Sequence, residues 1–116
     1  MKELLSEVQA SEFMEYGRAK AKFGAANNSP HESYAVILEE YEEAQGKANM
    51  FEIYMRIYWN AVRANTMTTC QLQQMQRIAE KAAAEWIQVA AMCYKATVKK
   101  NDEAALTAQK GVEQDG

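Results

Sequence analysis

The fold of this chain is decided by the stretch YAVILEEYEEAQGKANMFEIYMRIYWNAV, residues 34–62. Its apolar residues recur at alternating steps of four and three positions, which is the spacing of a helix that packs along a neighbouring helix. The spacing keeps its phase through Gly46, so we predict one continuous helix, on the order of 50 Å long at ~1.5 Å per residue. The seam of this helix is predicted to consist of Ile37, Tyr41, Ala44, Ala48, Phe51, Met55, Tyr58 and Val62.

Two polar segments divide the chain into three predicted helices. Before the central stretch, Ser29 is predicted as an N-cap that is followed by proline, with Glu32 in the capping-box position. After it, residues 64–69 interrupt the apolar pattern, and Thr68 with Gln71 can form another capping box. The predicted helices cover residues 2–23, 30–64 and 69–100.

A second seam with the same spacing lies in the third predicted helix. It consists of Leu72, Met75, Ala79, Ala82, Trp86, Val89, Cys93 and Ala96. Two such helices joined by a short turn are expected to pack as a long antiparallel hairpin, beside the N-terminal helix. We therefore predict a single all-α domain over residues 1–100 and a polar tail over residues 101–116, with room for one short helix at 102–110.

The predicted hairpin carries more apolar surface than three helices can cover. Its far ends stay exposed, and the tail is too polar to supply a full fourth helix. We expect the chain to oligomerise as a homodimer or homotetramer, which completes a multi-helix bundle.

The composition argues against several classes of function. The formal net charge is −3, which disfavours binding to the phosphate backbone of a nucleic acid. No apolar run approaches the roughly 20 residues of a membrane-spanning helix, and the charged N-terminal segment is not typical of a secretory signal. Cys70 and Cys93 lack the spacing of metal ligands, and we interpret them as free thiols of a cytoplasmic protein.

Four glutamates crowd the segment LEEYEEAQ in the first half of the central helix. Relative to the seam, Glu40 and Glu43 point to one side of the predicted contact, whereas Glu39 and Glu42 face away from it. Dense acidic runs on long helices are commonly solvated faces. The alternative is that they form half of a metal site.

The register of the hairpin favours a metal site. Glu85 and Gln88 occupy the same heptad positions on the third helix as Glu40 and Glu43 occupy on the second. Pairing Glu40 with Gln88, and Glu43 with Glu85, centres the hairpin on residue 64, at the edge of the predicted turn. Four oxygen-bearing side chains are then expected to converge, and clustered hard oxygen ligands suit Mg²⁺.

Other polar and aromatic residues lie along the same rim. Lys47 and Lys81 fall about one turn from the carboxylates, where they could bind phosphate oxygens or form salt bridges to neighbouring glutamates; we favour salt bridges. Tyr41, Trp59 and Trp86 could stack on a nucleobase, although core packing is the more common role for aromatic residues at helical spacing.

Three segments, SPHESYAVI (29–37), LEEYEEA (38–44) and AEWIQVAAM (84–92), resemble the MazG-like members of the all-alpha NTP pyrophosphatase superfamily. The signature of that family is E-E-x-x-E on one helix and E-x-x-D on the next, and the resemblance extends over about residues 11–98. The matching residues are Glu39, Glu40, Glu43 and Glu85, together with Gln88 in place of the family's aspartate.

The resemblance implies Mg²⁺-dependent cleavage of a nucleoside triphosphate to the monophosphate and pyrophosphate. It implies that Glu40, Glu43 and Glu85 are the catalytic carboxylates that hold the metal, with Glu39 and Gln88 completing the set of metal ligands. It also implies a helical dimer or tetramer. In such an enzyme Lys47 and Lys81 are the predicted phosphate-binding residues.

The chain departs from the family pattern at Gln88, which removes one negative charge from the predicted site, and in the length of the segment between the motifs. Two alternatives therefore stay open beside the enzyme. One is a non-catalytic helical interaction protein in which the acidic cluster keeps a long hairpin soluble. The other is a degenerate family member that binds nucleotide without hydrolysing it.

Overall fold

The computed structural model describes residues 2–99 and contains three helices, α1 (Lys2–Phe23), α2 (Pro30–Arg63) and α3 (Thr69–Thr97). All regular structure within these residues is helical, so the predicted all-α class is confirmed. The short helix predicted at 102–110 lies outside the described residues. None of the described helices is long and apolar enough to cross a membrane.

The start of α2 is built by the predicted N-cap. Ser29 has extended backbone, and its hydroxyl accepts the backbone N–H of Glu32 at 3.1 Å. Pro30 follows as the first helical residue, where its missing N–H costs no helical hydrogen bond. The Glu32 carboxylate accepts a hydrogen bond from the Asn28 amide at 2.9 Å. The start of α2 is therefore fixed by local interactions alone.

The turn between α2 and α3 is closed by backbone groups at the end of α2. Asn65 adopts the left-handed conformation (φ 56°), which asparagine tolerates better than most residues do. Thr66 donates both its N–H, at 3.0 Å, and its hydroxyl, at 3.1 Å, to the carbonyl of Ala61. The second predicted capping box is wrong, because the side chain of Thr68 makes no hydrogen bond at the start of α3.

The other end of α3 also differs from the prediction. The helix ends at Thr97 rather than at residue 100, since Val98 leaves the helical region with φ −81° and ψ 124°. The small core of the chain is assembled on α3, against which both α1 and α2 pack. The buried apolar residues are Tyr16, Ala25, Ala26, Ala44, Ala61, Met75, Ile78, Ala91 and Met92.

Helix α1 is attached to α3 and to the following loop by one tyrosine. The ring of Tyr16 meets the ring of Tyr94 edge to face, with centroids 4.8 Å apart. Its hydroxyl donates to the carbonyl of Ala25 at 2.8 Å. Because Ala25 belongs to the loop that leads into α2, this single side chain links all three helical segments.

The contact between α2 and α3 is rotated by one position relative to the predicted seams. On each helix, half of the predicted seam residues are shielded from solvent and the other half are exposed. For each exposed seam residue, the residue that precedes it in the sequence is shielded instead. The exposed half consists of Tyr41, Ala48, Met55 and Val62 on α2 and of Leu72, Ala79, Trp86 and Cys93 on α3. The replacements consist of Glu40, Lys47, Tyr54 and Ala61 on α2 and of Gln71, Ile78, Glu85 and Met92 on α3.

The rotation has a physical reason. Each helix carries an apolar stripe that is wider than one seam, and a single chain buries only one edge of it. We name the uncovered half, formed by the eight exposed residues just given, the open stripe. The rings of Tyr41 and Trp86 meet across it with centroids 6.1 Å apart, although each side chain is more than two-fifths exposed.

Candidate metal centre and adjoining groove

Three glutamates from two helices converge where α2 packs on α3. Glu40 and Glu43 lie on successive turns of α2, and Glu85 faces them from α3. One carboxylate oxygen of each residue lies within 4.8 Å of one oxygen of each of the others. Glu40 and Glu85 are half-buried because both occupy seam positions in the rotated contact, whereas Glu43 is exposed at the rim. We call these three residues the glutamate triad.

The triad concentrates negative charge without a neutralising partner. Loss of hydration raises the pKa of Glu40 above its ordinary value, and the carboxylates of Glu43, Glu85 and Glu39 raise that pKa further. The only salt bridges among residues 2–99 are Arg18–Glu15 and Arg56–Glu52, and neither reaches the triad. A bound cation would therefore relieve an unfavourable interaction of the folded protein.

The donor set fits a hard divalent cation. Mg²⁺ binds oxygens at about 2.0–2.1 Å, so opposite ligands of its octahedron stand about 4.2 Å apart. The oxygens of the triad lie within 4.8 Å of one another, and Glu43 is exposed and free to rotate inward. Because the cluster holds neither histidine nor cysteine, its donor atoms suit hard divalent cations such as Mg²⁺, Mn²⁺ and Ca²⁺ better than Zn²⁺.

The remaining predicted ligands lie beside the triad. Glu39 is exposed and, together with Glu40, borders a groove of about 460 Å³ that runs between the three helices. Gln88 also lines this groove, but its amide donates a hydrogen bond to the carboxylate of Glu15 on α1 at 2.6 Å. The residue that departs from the family signature is therefore engaged in holding α1 against α3.

The groove has walls of opposite charge, and we call it the α1 groove. Apart from Glu15 on α1, its acidic residues come from α2, and its basic residues come from α1 and from the last turn of α3. The acidic residues are Glu32, Glu39 and Glu40, and the basic residues are Arg18, Lys22 and Lys95. Glu15, also in the lining, pairs with Arg18 on the same wall.

Sequence reasoning missed the basic wall of this groove. Its cations come from two helices, and Lys22 on α1 is more than seventy residues away in sequence from Lys95 on α3. In addition, α1 shows no strong apolar periodicity that would predict which of its faces packs against the other helices. The signal that was present is the lysine at position 95, which falls among apolar residues at the end of α3. A lysine in that context is unremarkable until its burial is known.

The two lysines predicted to bind phosphate differ in their surroundings. Lys47 is half-buried and lines a second cleft, of about 400 Å³, beside Glu43 and Glu85. Lys81 is exposed on α3. Neither forms a salt bridge among residues 2–99, so the salt bridges favoured by the sequence are not formed.

The aromatic residues also depart from expectation. Tyr41, Trp59 and Trp86 were expected to pack in the core, but they are 43%, 58% and 45% exposed. Tyr41 and Trp86 contact one another on the open stripe, and neither lines the α1 groove. A nucleobase stacked on them would therefore lie outside that groove.

No known protein family, curated protein or solved structure matches this chain. The resemblance to the MazG-like proteins consequently rests on the short motifs that contain the triad. The function must therefore be inferred from the chemistry of the triad and of the groove beside it.

Proposed function

We propose that this protein is a Mg²⁺-dependent nucleoside triphosphate pyrophosphohydrolase of the MazG-like type. The observation that carries the proposal is the position of Glu40, which belongs both to the glutamate triad and to the acidic wall of the α1 groove. A cation held by the triad would thus stand at the edge of a groove whose other wall is basic.

A metal-bound polyphosphate has the same division of charge as this site. Glu40, Glu43 and Glu85 would hold Mg²⁺, while the basic wall would attract phosphate oxygens. When bound, Mg²⁺ supplies neutralisation of the phosphate charge and polarisation of the bond to be broken.

Glu39 borders the groove beside Glu40 but stands outside the triad, so we propose it as the carboxylate that orients water. In the proposed reaction that water attacks the α-phosphorus and gives its proton to Glu39. The bond from the α-phosphorus to the bridging oxygen breaks, and pyrophosphate leaves with the electron pair. The other product is the nucleoside monophosphate.

The assembly is part of the proposal. We infer that α2 and α3 form the antiparallel hairpin predicted by their seams and that a second copy covers the open stripe. The exposed apolar residues at the predicted seam positions support this inference, because in a four-helix bundle each helix buries a wider stripe than it does in one hairpin. The product would be a homodimer, or a homotetramer made from two such pairs.

The reaction is tested by incubating the protein with a panel of nucleoside triphosphates and Mg²⁺ and measuring both monophosphate and pyrophosphate. Glu43→Gln and Glu85→Gln should each lower the rate by about a hundredfold or more, since each removes one charge from the metal site. Glu42→Gln is the matched control, because Glu42 is exposed and outside the triad. Release of orthophosphate instead of pyrophosphate, or equal rates in all variants, would contradict the proposal.

A second candidate function is nucleotide binding without hydrolysis. It is favoured by Gln88, whose amide is committed to Glu15 and which leaves the site with three clustered carboxylates. In that case a nucleoside triphosphate with Mg²⁺ raises the melting temperature, but neither product accumulates. A protein that responds to neither nucleotide nor Mg²⁺ would instead be a helical interaction protein.

A further inference from the structure

Lys95 is the most unusual charged residue in the described part of the chain. It is 5% exposed, yet it lines the α1 groove, and no carboxylate within residues 2–99 pairs with its ammonium group. The ammonium nitrogen lies over the ring of Phe23, 5.6 Å from its centroid. Because this cation has no counter-ion among the described residues, an anionic ligand in the groove would be attracted to it.

A second cation stands on the same aromatic ring. The ammonium group of Lys22 lies 5.2 Å from the centroid of Phe23, and Lys22 also lines the groove without a carboxylate partner among the described residues. Arg18 differs, because it is paired with Glu15. The two lysines are therefore the uncompensated positive charges of the basic wall.

An uncompensated hydrogen-bond acceptor lies in the same groove. The side-chain oxygen of Asn27 is buried and accepts no hydrogen bond within residues 2–99, whereas its amide nitrogen donates to Ser33 at 2.9 Å. Buried polar atoms without partners are rare in proteins and commonly mark a place where a ligand or water binds. Two cations, from α1 and α3, and one hydrogen-bond acceptor, from the loop after α1, thus line one cavity. The cations suit an anionic group, whereas the acceptor suits a hydroxyl group or a water molecule.

A purely structural role of Lys95, as a cation at the end of a helix, explains only part of these observations. The residue lies in the last turn of α3, where a positive charge interacts favourably with the helix dipole. That role explains a cation at this end of the helix, but it requires neither burial against the groove nor a second unpaired lysine on the same ring.

We propose that Lys95 and Lys22 bind phosphate groups of the triphosphate tail, so that α1 forms the phosphate-binding wall of the site. The identity of the ligand rests on the proposed function, because the triad would hold the metal of the same metal–polyphosphate complex. The assignment moves the phosphate contacts from the predicted rim at Lys47 and Lys81 to the opposite side of Glu40.

The test measures binding of inorganic tripolyphosphate by titration calorimetry at a fixed Mg²⁺ concentration. Lys95→Met and Lys22→Met should each weaken binding about tenfold or more, which is the usual effect of removing one charged hydrogen-bond donor. Lys95→Arg keeps the charge and should retain most of the affinity. Lys20→Met is the matched control, because Lys20 lies on the same helix as Lys22 and is not part of the groove lining.

Two further arms separate this inference from the proposed function. Mg²⁺ alone should stabilise the wild type and Lys95→Met equally against heat, since neither lysine belongs to the triad. If Mg²⁺ fails to bind but tripolyphosphate binds through Lys95, the enzyme proposal fails and the anion site stands.

An unchanged affinity of Lys95→Met for tripolyphosphate would overturn the inference. If that variant does not fold, equal affinities of Lys22→Met and Lys20→Met for tripolyphosphate would overturn it. Orthophosphate should bind at least about tenfold more weakly than tripolyphosphate if both lysines share one extended ligand.

Discussion

At the scale of the residue, the amide of Gln88 determines how α3 is joined to α1. It donates to Glu15 at 2.6 Å, and Glu15 in turn pairs with Arg18 on its own helix. A carboxylate at position 88 could not donate this hydrogen bond. The amide that stands in place of the aspartate of the MazG-like signature is thus matched by an acceptor on α1. The two motifs that resemble that signature do not reveal this acceptor, because it lies on another helix.

We expect Gln88→Asp to destabilise the metal-free protein by about 1–2 kcal/mol in urea unfolding at neutral pH. The substitution removes a part-buried donor and places a second carboxylate beside Glu15. Glu15→Gln in the Gln88→Asp background should recover at least half of the loss, because a donor then faces the new carboxylate. Additive losses in the double variant would mean that the two positions do not interact.

The raised pKa of Glu40 predicts a pH dependence of stability. Its pKa is raised above the value of 4.5 that it takes in the unfolded chain, so the native state binds more protons than the unfolded state between the two values. Stability therefore falls as the pH rises through this interval, and the full penalty is present at neutral pH.

Glu40→Gln should accordingly raise the stability of the metal-free protein at neutral pH, by about 0.5 kcal/mol or on the order of 2 °C in melting temperature. The same variant should lose the stabilisation that Mg²⁺ gives to the wild type. Glu42→Gln, on the exposed face of α2, should change neither quantity. A Glu40→Gln protein that melts below the wild type in the absence of metal would show that the triad is not strained by its own charge.

At the scale of the element, local signals predicted the helices and long-range packing decided the rest. The heptad spacing and the Ser29 cap gave the limits of α2 to within a residue at each end, because both depend on neighbours in the sequence. The phase of the α2–α3 contact was wrong by one position, since a wide apolar stripe does not specify which of its edges a single chain will bury.

The same division applies to the candidate site. Glu40, Glu43 and Glu85 could be predicted to converge because all three lie on the two helices whose register follows from their seams. The basic wall could not be predicted from the sequence, because Tyr16 and Gln88 fix the orientation of α1 through single side-chain contacts. Such contacts leave no periodic pattern in the sequence.

The two helix starts provide a matched test of local capping. Ser29→Ala should cost about 1 kcal/mol, because the Ser29 hydroxyl accepts the N–H of Glu32. Thr68→Ala should be close to neutral, since the Thr68 side chain makes no cap hydrogen bond. Both are measured by thermal unfolding, where the first change corresponds to about 4–8 °C in a domain of this size. Equal shifts would indicate that Thr68 caps α3 in solution.

At the scale of the whole molecule, the described part of the chain is elongated and leaves many apolar residues exposed. It extends 63 Å by 33 Å by 22 Å, and its radius of gyration is 19.2 Å, whereas a compact domain of similar length has about 13 Å. No large side chain among the described residues is fully buried, and aromatic residues such as Trp59 stay exposed. In the assembly that we propose, a second copy covers the open stripe and completes the core.

We expect the protein to sediment as a dimer or tetramer at micromolar concentration, and Met55→Glu to shift it to the monomer. Met55 lies in the middle of the open stripe, so a charge there would be buried at the interface. Ile53→Glu is the control, because Ile53 is exposed on the same helix but outside the stripe. A wild type that sediments as a monomer, or equal dissociation by both substitutions, would contradict this assignment.

The contact between Tyr41 and Trp86 has an optical consequence. Each ring is the chain neighbour of a triad carboxylate, Glu40 in one case and Glu85 in the other, and the indole is partly open to water. In a Trp59→Phe background the remaining tryptophan is therefore a built-in fluorophore. Its emission should shift to the blue as copies associate with rising protein concentration. Energy transfer from the tyrosine to the indole should change when a cation draws the two helices together, so one fluorescence experiment follows both events.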